Sequence, residues 1–404
     1  MDGKGKNLPL IKEKNSNLIK QTIYRYSPIS RIGVAQRLSL ANATITSNVV
    51  ELMKQGLVRE IGVPQAAECK GMGRPPILLE FITDSRYVVG VELNPYETVM
   101  AATDLRGKVV RRWSQVFAEA SYVKMAENLS SSVRAFLKRS GVPQEKIVGI
   151  GVCLPGFVDG GTGIVHNNLR QDWVARNLAK DLESRLLFPV CIENNVRART
   201  IGADLFSRRV DGDPLLHYFI SYGIACTLVS GGQILTGKAA GAGEIGHMVV
   251  EIGGPICDVC GNQGCLDALA SEHAVLKRCQ AAMDAGLAAM LQEIVSARGK
   301  LDMDAVLQAQ VCGDPQVTSI LNDSIRYIGV NIANLMNFIS PETVLIDGRI
   351  FSVAENRDRL LSILPRNIFG GSQKGYQLKF MDYDPLGGAK GAAALAVKRF
   401  VLGA

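Results

Sequence analysis

The stretch GAGEIGHMVVEIGGPICDVCGNQGCL, residues 241–266, decides how this chain reads. It sets His247 ten residues ahead of Cys257, with Cys260 and Cys265 close behind and Glu244 three residues before the histidine. One imidazole and three thiolates make a closed tetrahedral zinc site. The bland alternative is three small buried hydrophobes and a core histidine, since free cysteines are often simply buried. Clustering argues against it: three of the nine cysteines fall within nine residues, spaced by Gly261 and Gly264. Glycines reach positive φ and let a backbone fold tightly around an ion. Four protein ligands leave no open position for a catalytic water. The predicted zinc, on His247, Cys257, Cys260 and Cys265, is therefore structural.

Working outward, 404 residues are enough for more than one domain, and 47% apolar composition supplies a core. No uncharged apolar run is long enough to span a bilayer, which predicts no membrane partner. The first residues, MDGKGKNLPLIKEKN, are charged and carry no apolar secretory core. Six further cysteines, at 69, 153, 191, 226, 279 and 312, are scattered singly. Isolated thiols fit a reducing cytoplasm better than a disulfide framework. The charge is uneven: residues 1–80 hold 12 Lys and Arg against 6 Asp and Glu, while the whole chain is only +7. A basic segment ahead of a nearly neutral body suggests a polyanion-binding module.

That segment reads as three short helices and a pair of strands. Ser16 is positioned to cap a helix carrying Leu18, Ile19, Ile23 and Tyr24; Pro28 breaks it, and Ser30 caps a second with Ile32, Val34, Ala35 and Leu38. Asn42 caps a third, whose Ile45, Val49, Leu52 and Met53 form one core stripe, with Gly56 closing it. Its opposite face offers Asn42, Ala43, Thr44, Thr46 and Ser47, small or hydrogen-bonding residues that suit a DNA major groove. Leu57–Ile61 and Ile77–Phe81 read as wing strands around Gly71–Pro76. Arg74, held extended by Pro75 and Pro76, is a candidate minor-groove contact.

From about residue 82 strands and helices alternate. Strands are expected at Tyr87–Leu93, Thr98–Asp104, Val109–Val116, Lys146–Leu154, Val190–Ile192, twice within Leu216–Ser230, and at Thr343–Ile346. Helices are expected at Ser121–Ser140, Trp173–Leu187, Asn195–Ser207, through much of the chain to Ile339, and in a Gly/Ala-rich end from Gly388. Strand clusters separated by helical blocks imply an α/β body of two lobes with ligands between them.

Gly243-Glu244-Ile245-Gly246-His247, the knuckle ending Gly264-Cys265-Leu266, Leu154-Pro155-Gly156-Phe157-Val158-Asp159 and Glu193-Asn194-Asn195 together resemble the ROK family. That family groups sugar-responsive repressors with sugar kinases on an actin-like, two-lobed fold. The N-terminal segment is similar to its repressor branch, typified by xylose and N-acetylglucosamine repressors. The resemblance implies a winged helix-turn-helix domain over 1–82 and a ROK sugar-sensing and oligomerisation body over 83–404. It implies a sugar site at Asn194, Asn195, Glu244, His247 and Asp267, with Asn167 and Asn168 in a neighbouring loop. Carboxylates and amides supply the acceptors and donors that sugar hydroxyls need. His247 serves twice, one ring nitrogen on zinc and the other facing a hydroxyl.

Departures from the kinase pattern separate enzyme from sensor. Kinases of the family carry an Asp where this chain has Asn195, and an amide cannot accept the hydroxyl proton. Their first phosphate loop, Asp-x-Gly-Gly-Thr, here reads Glu92-Leu93-Asn94-Pro95-Tyr96. The second glycine run is Gly223-Ile224-Ala225-Cys226-Thr227, and the late paired glycines read Asp347-Gly348-Arg349. The expectation is a non-enzymatic, cytoplasmic repressor, braced by zinc, binding operator DNA and a sugar effector as a homodimer or homotetramer. Two other readings are an active sugar kinase with an added DNA-binding domain and a repressor titrated by a partner protein.

Overall fold

The computed structural model describes residues 8–62, 77–116, 121–167, 173–207, 213–370 and 375–404. Arg74, Asn168, Cys69 and the run Gly71–Pro76 lie outside the described residues, and of Asn167 only the backbone is described.

The N-terminal unit is built from α1 (Leu8–Tyr26), β1 (Ile29–Ser30), α2 (Arg31–Leu38), α3 (Asn42–Lys54), β2 (Val58–Ile61) and β3 (Leu78–Phe81). β3 lies between β1 and β2, antiparallel to both, which makes a winged helix. Ser30 caps α2 as expected, its Oγ accepting from Gly33 N at 3.0 Å. Gly56 takes φ +69 behind α3, where a Cβ would be strained. Three expectations are corrected. α1 starts at Leu8, so Ser16 lies inside it; the Leu- and Lys-rich run before Ser16 has the propensity to extend the helix. Ala41 rather than Asn42 is the capping residue, because the backbone turns helical one residue earlier than a cap at Asn42 requires, with Asn42 already the first helical residue. Ile45, Val49 and Leu52 are buried, but Met53 is 36% exposed and sits outside the stripe.

The first lobe comprises β4 (Tyr87–Leu93), β5 (Thr98–Asp104), β6 (Val109–Gln115), α4 (Tyr122–Arg139), β7 (Ile147–Leu154), β8 (Phe157–Asp159), β9 (Ile164–Asn167), β10 (Arg176–Asn177), α5 (Leu178–Leu186) and β11 (Val190–Asn194). Its main sheet has order β11-β7-β4-β5-β6, parallel through β11, β7 and β4 and antiparallel beyond. Strands β8 to β10 form a small side sheet absent from the sequence reading. Trp173–Asn177 was expected to be helical; β10 takes its last two residues by pairing with β9, and the helix waits until Leu178.

Helix α6 (Asn195–Phe206) leads to the second lobe: β12 (Leu215–Ile220), β13 (Ile224–Ser230), β14 (Gln233–Ile234), α7 (Leu266–Ala270), α8 (Glu272–Asp284), α9 (Ala289–Arg298), α10 (Met303–Val311), α11 (Pro315–Ile339), β15 (Thr343–Gly348), α12 (Ala354–Asn367) and β16 (Gln377–Phe380); α13 (Gly387–Ala396) then returns to the first lobe. The sheet order is β14-β13-β12-β15-β16. α11, the longest helix, starts at Pro315 with Asp314 Oδ1 accepting from Gln316 N and Val317 N, both at 3.1 Å. It lays Ile325, Ile328 and Ile332 against Tyr218, Val344 and Ile346 of the sheet.

α6 and α13 run side by side; α13 packs on the first-lobe sheet, and α6 also meets β12 and β13 of the second lobe. α13 approaches β4 and β7 so closely that a Cβ on Gly90 would lie 1.8 Å from Ala389 O, and one on Gly151 equally near Ala392 O. Only glycine fits there. The winged-helix core is not separate from the body. Ile19, Ile23, Tyr24 and Leu79 share one apolar cluster with Val88 and Leu105 of the first lobe and with Val397, Val401 and Leu402 after α13.

Candidate functional site

Gly243 anchors the loop that opened the sequence reading. Its φ is +100, and a Cβ would come within 2.0 Å of Cys226 O. Gly243 O accepts from Cys226 N at 2.9 Å, which pins the loop to β13. A short 3-10 turn, Ile245–His247, then presents Glu244 and His247 together. Burial raises the Glu244 carboxyl above its ordinary range, opposed by His247 and Arg197 and reinforced by Asp267. Asp267 sits in the first turn of α7, immediately behind Cys265. Its Oδ1 accepts from Ile224 N at 2.7 Å, and burial pushes its carboxyl up to about 6 despite that bond. Glu244, His247 and Asp267 thus share one electrostatic neighbourhood.

The metal-type residues converge as their spacing predicted. His247, Cys257, Cys260 and Cys265 place one nitrogen and three sulfurs all within 4.8 Å of one another. His247 Nδ1 lies 3.8 Å from Cys257 Sγ, and Cys260 Sγ lies 3.5 Å from Cys265 Sγ. Gly264, at φ +74, allows the knuckle to close, since a Cβ there would meet Glu251 O at 1.7 Å. All eight described cysteines are free thiols.

The other wall comes from the junction of β11 and α6. Asn194 caps α6: its Oδ1 accepts from Val196 N and Arg197 N, and its Nδ2 donates to Gly156 O at 3.0 Å. Asn195 is the first helical residue, its Oδ1 accepting from Val196 N at 3.0 Å. Arg197, which the sequence reading passed over, is buried and donates to Glu193 Oε1 at 2.7 Å, Val158 O at 2.5 Å and Ala240 O at 3.1 Å. One guanidinium therefore ties β8 to the loop before Gly241. Its visible signal is its place four residues after Glu193, a helical ion-pair spacing.

In the two loops that depart from the kinase glycine patterns in the sequence, backbone N–H groups are already engaged within the chain. After β4, Asn94 Oδ1 accepts from Tyr96 N and Glu97 N, both at 2.9 Å, and Pro95 has no N–H to offer. After β12, Ile224 N is held by Asp267. Tyr96 lies edge-on to Tyr222 at 5.6 Å between centroids, and Tyr222 stacks on His273 at 4.8 Å. Glu272 is buried alongside, its carboxyl pushed up to about 7 by burial. A cavity of about 420 Å³ opens behind Asp267, lined by Tyr222, Cys257, Asp267, His273, Lys277 and Tyr327; neither Glu244 nor Asn195 lines it.

In the winged helix, Asn42, Ala43, Thr46 and Ser47 are exposed and Thr44 is half-buried. They share the N-terminal half of α3. Ser47 Oγ donates to Thr44 O at 3.1 Å and Asn48 Nδ2 to the same oxygen at 2.8 Å. Asn48 is thus a neighbour the sequence reading did not single out.

A sequence profile of the ROK family matches residues 88–399. The chain belongs to the ROK family. The xylose repressor of Bacillus subtilis (strain 168) is 27% identical over 340 residues, covering 84% of this chain and 83% of that protein. Among solved structures, a ROK family transcriptional regulator described as a homologue of the E. coli MLC protein superposes with a TM-score of 0.78 at 24% identity, over 97% of this chain and 98% of that one. A ROK family glucokinase from Streptomyces griseus, in complex with glucose and AMPPNP, superposes at 0.68 and 22% identity, over 77% of this chain and 99% of that one. The ROK fold therefore accounts for the body, and the regulator shares the extra N-terminal unit as well. No described helix is long and apolar enough to cross a membrane.

Proposed function

We propose that this ROK chain is a sugar-responsive, DNA-binding transcriptional repressor whose kinase-like body performs no phosphoryl transfer. The observation that carries the reading is the state of the phosphate loops. A phosphate cradle needs free backbone N–H groups. Here Pro95 lacks one, Asn94 holds those of Tyr96 and Glu97, and Asp267 holds that of Ile224. Asn195 stands where the hydroxyl's proton acceptor would be, and an amide does not serve as that base.

Recognition survives where catalysis does not. Asn195, Glu244, His247 and Asp267 supply donors and acceptors for sugar hydroxyls, with Asn167 and Asn168 from the neighbouring loop. Asn194 contributes by capping α6, since its amide is engaged by Gly156, Val196 and Arg197. Burial makes Glu244 carry its charge less readily than an exposed carboxylate.

His247, Cys257, Cys260 and Cys265 fit zinc. Zinc–sulfur bonds of about 2.3 Å and zinc–nitrogen bonds of about 2.0 Å put neighbouring ligand atoms roughly 3.5–4 Å apart, close to the separations present. Zinc there supplies a rigid cross-link. His247 Nδ1 faces the thiols, which leaves Nε2 as the nitrogen for a sugar hydroxyl.

For DNA, the N-terminal half of α3 enters the major groove with Asn42, Ala43, Thr44, Thr46 and Ser47, and Arg74 reaches the minor groove from the wing. Paired half-sites call for a homodimer or homotetramer. Sugar releases DNA only if it binds the other lobe arrangement more tightly. An ATP-coupled phosphorylation assay across hexoses, pentoses and amino sugars tests the non-catalytic part. The expected result is no turnover, with calorimetric binding of one sugar lost on Glu244→Ala; turnover abolished by Glu244→Ala sinks the proposal.

A further inference from the structure

Arg199 lies two residues beyond Arg197 on α6 and faces the opposite way, into the seam between the lobes. Its Nη2 donates to Glu92 Oε1 at 3.0 Å and Oε2 at 3.2 Å, at the end of β4 in the first lobe. Its Nη1 reaches Asp347 Oδ2 at 3.5 Å, at the end of β15 in the second. The side chains of Arg199, Glu92 and Asp347 are 10%, 3% and 6% exposed, so this is a desolvated ion triad and not a surface pair. His217, wholly buried on β12, backs Asp347 at 3.7 Å, and Thr200 Oγ1 holds its other ring nitrogen at 2.9 Å. The guanidinium also lies 4.5 Å from the Phe219 ring centroid. Burial disfavours charge on Arg199 and on Asp347, yet Glu92 and Asp347 hold Arg199 cationic and His217 and Arg199 keep Asp347 below the usual carboxylate range.

The surrounding backbone is shaped to this triad. A Cβ on Gly388 would sit 2.0 Å from Glu92 Cδ, and one on Gly387 2.3 Å from Arg199 Nη1. The first turn of α13 is glycine where it meets the carboxylate and the guanidinium. At its other end, α13 runs into the turn Val397–Val401, where Val401 O, and beyond it Leu402 O and Gly403 O, accept from Lys20, Gln21 and Asn17 of α1. Asp204, near the end of α6, pairs with Arg25 of α1 at 3.1 Å. Both helices that touch the triad therefore also touch the winged helix.

We infer that Glu92, Arg199 and Asp347 form an interlobe latch that fixes the angle between the two lobes. One cation bridges carboxylates that belong to different sheets and would otherwise repel across the seam. Removing the cation alone leaves two uncompensated buried charges, whereas removing all three charges leaves an uncharged seam with nothing to hold it. A merely stabilising ion pair has no such signature. The inference adds a geometric control to the function proposed above, but its test needs neither DNA nor sugar, so each stands or fails separately.

The experiment uses the full-length, zinc-loaded chain and compares wild type with Arg199→Met and with the triple change Glu92→Gln, Arg199→Met, Asp347→Asn. Thermal melting and small-angle X-ray scattering are recorded on each. Arg199→Met is expected to melt well below wild type. The uncharged triple is expected to melt within a few degrees of wild type but to scatter as a more open particle, with amide exchange at Leu93 and Gly348 faster by at least about tenfold. A triple variant whose scattering and exchange match wild type overturns the latch. If the triple does not fold, Arg199→Lys decides by the same two readouts: a point charge cannot bridge both carboxylates, so the particle opens, and an unchanged profile overturns the inference.

Discussion

Tyr24 Oη donates a 2.6 Å hydrogen bond to Leu105 O, joining α1 of the winged helix to the turn after β5 in the first lobe. The Tyr24 ring is buried edge-on to Phe81 at 5.0 Å, with the Arg106 guanidinium 4.0 Å from its centroid. The winged helix and the body therefore share a core instead of meeting through a loose linker.

Tyr24→Phe keeps the ring and leaves Leu105 O short of a partner. The expected cost is about 1–3 kcal/mol in urea unfolding. Because the core is shared, wild-type unfolding of the winged helix and first lobe should be a single transition. A separate early transition for the winged helix in wild type would contradict this.

Metal analysis of the purified chain should give about one zinc per chain. Cys265→Ser removes a buried ligand and should lose the metal together with several degrees of melting temperature. A metal-free preparation that melts like the loaded one rejects the zinc assignment.

Glu272 carries a pH signature. Burial raises its carboxyl from 4.5 to about 7; Arg349 and Arg199 pull it down and Asp304 and Asp347 push it up. The folded chain thus holds this proton more tightly than the unfolded chain. The group costs nothing below about pH 4.5, its cost grows as pH rises to about 7, and it is constant above. Relative to wild type, Glu272→Gln should gain stability across that window, up to about 3 kcal/mol at its upper end. A stability difference that does not change between pH 5 and pH 7.5 would falsify the assignment.

If α3 of the winged helix reads DNA as proposed, Thr46→Ala and Ser47→Ala should each lower affinity for the cognate site by about 1–3 kcal/mol where the side chain meets a base edge. Affinity for random DNA should be unchanged. Arg74→Ala should weaken binding mainly at A·T-flanked sites. Equal losses on cognate and random DNA would reduce these residues to general phosphate contacts.

Local chemistry was legible in the sequence where a residue type and a spacing determine each other. The knuckle's cysteines and glycines, Ser30 as a cap and the buried strands β4, β5 and β7 follow from ligand spacing, cap chemistry and apolar runs. Strands β8 to β10 are short and held by pairing with one another, so no periodicity announces them. Asn42 had the chemistry of a cap but not its backbone angles. Asp347 stood out in the sequence only as a departure from paired glycines; in the fold it faces Arg199 and His217. Arg199 itself gave no signal. Its partners are 107 and 148 residues away, and only the fold brings them together.

A sugar-responsive repressor, as proposed, must bind a specific DNA sequence under the control of a sugar. Gel-shift titration of the full-length, zinc-loaded protein against genomic fragments at physiological salt, with and without a panel of sugars, tests it most directly. The expected result is retardation of a discrete fragment, reversed by one sugar in wild type but not in Glu244→Ala. Absence of any sequence-specific retardation, or a specific complex that no sugar alters, would contradict it.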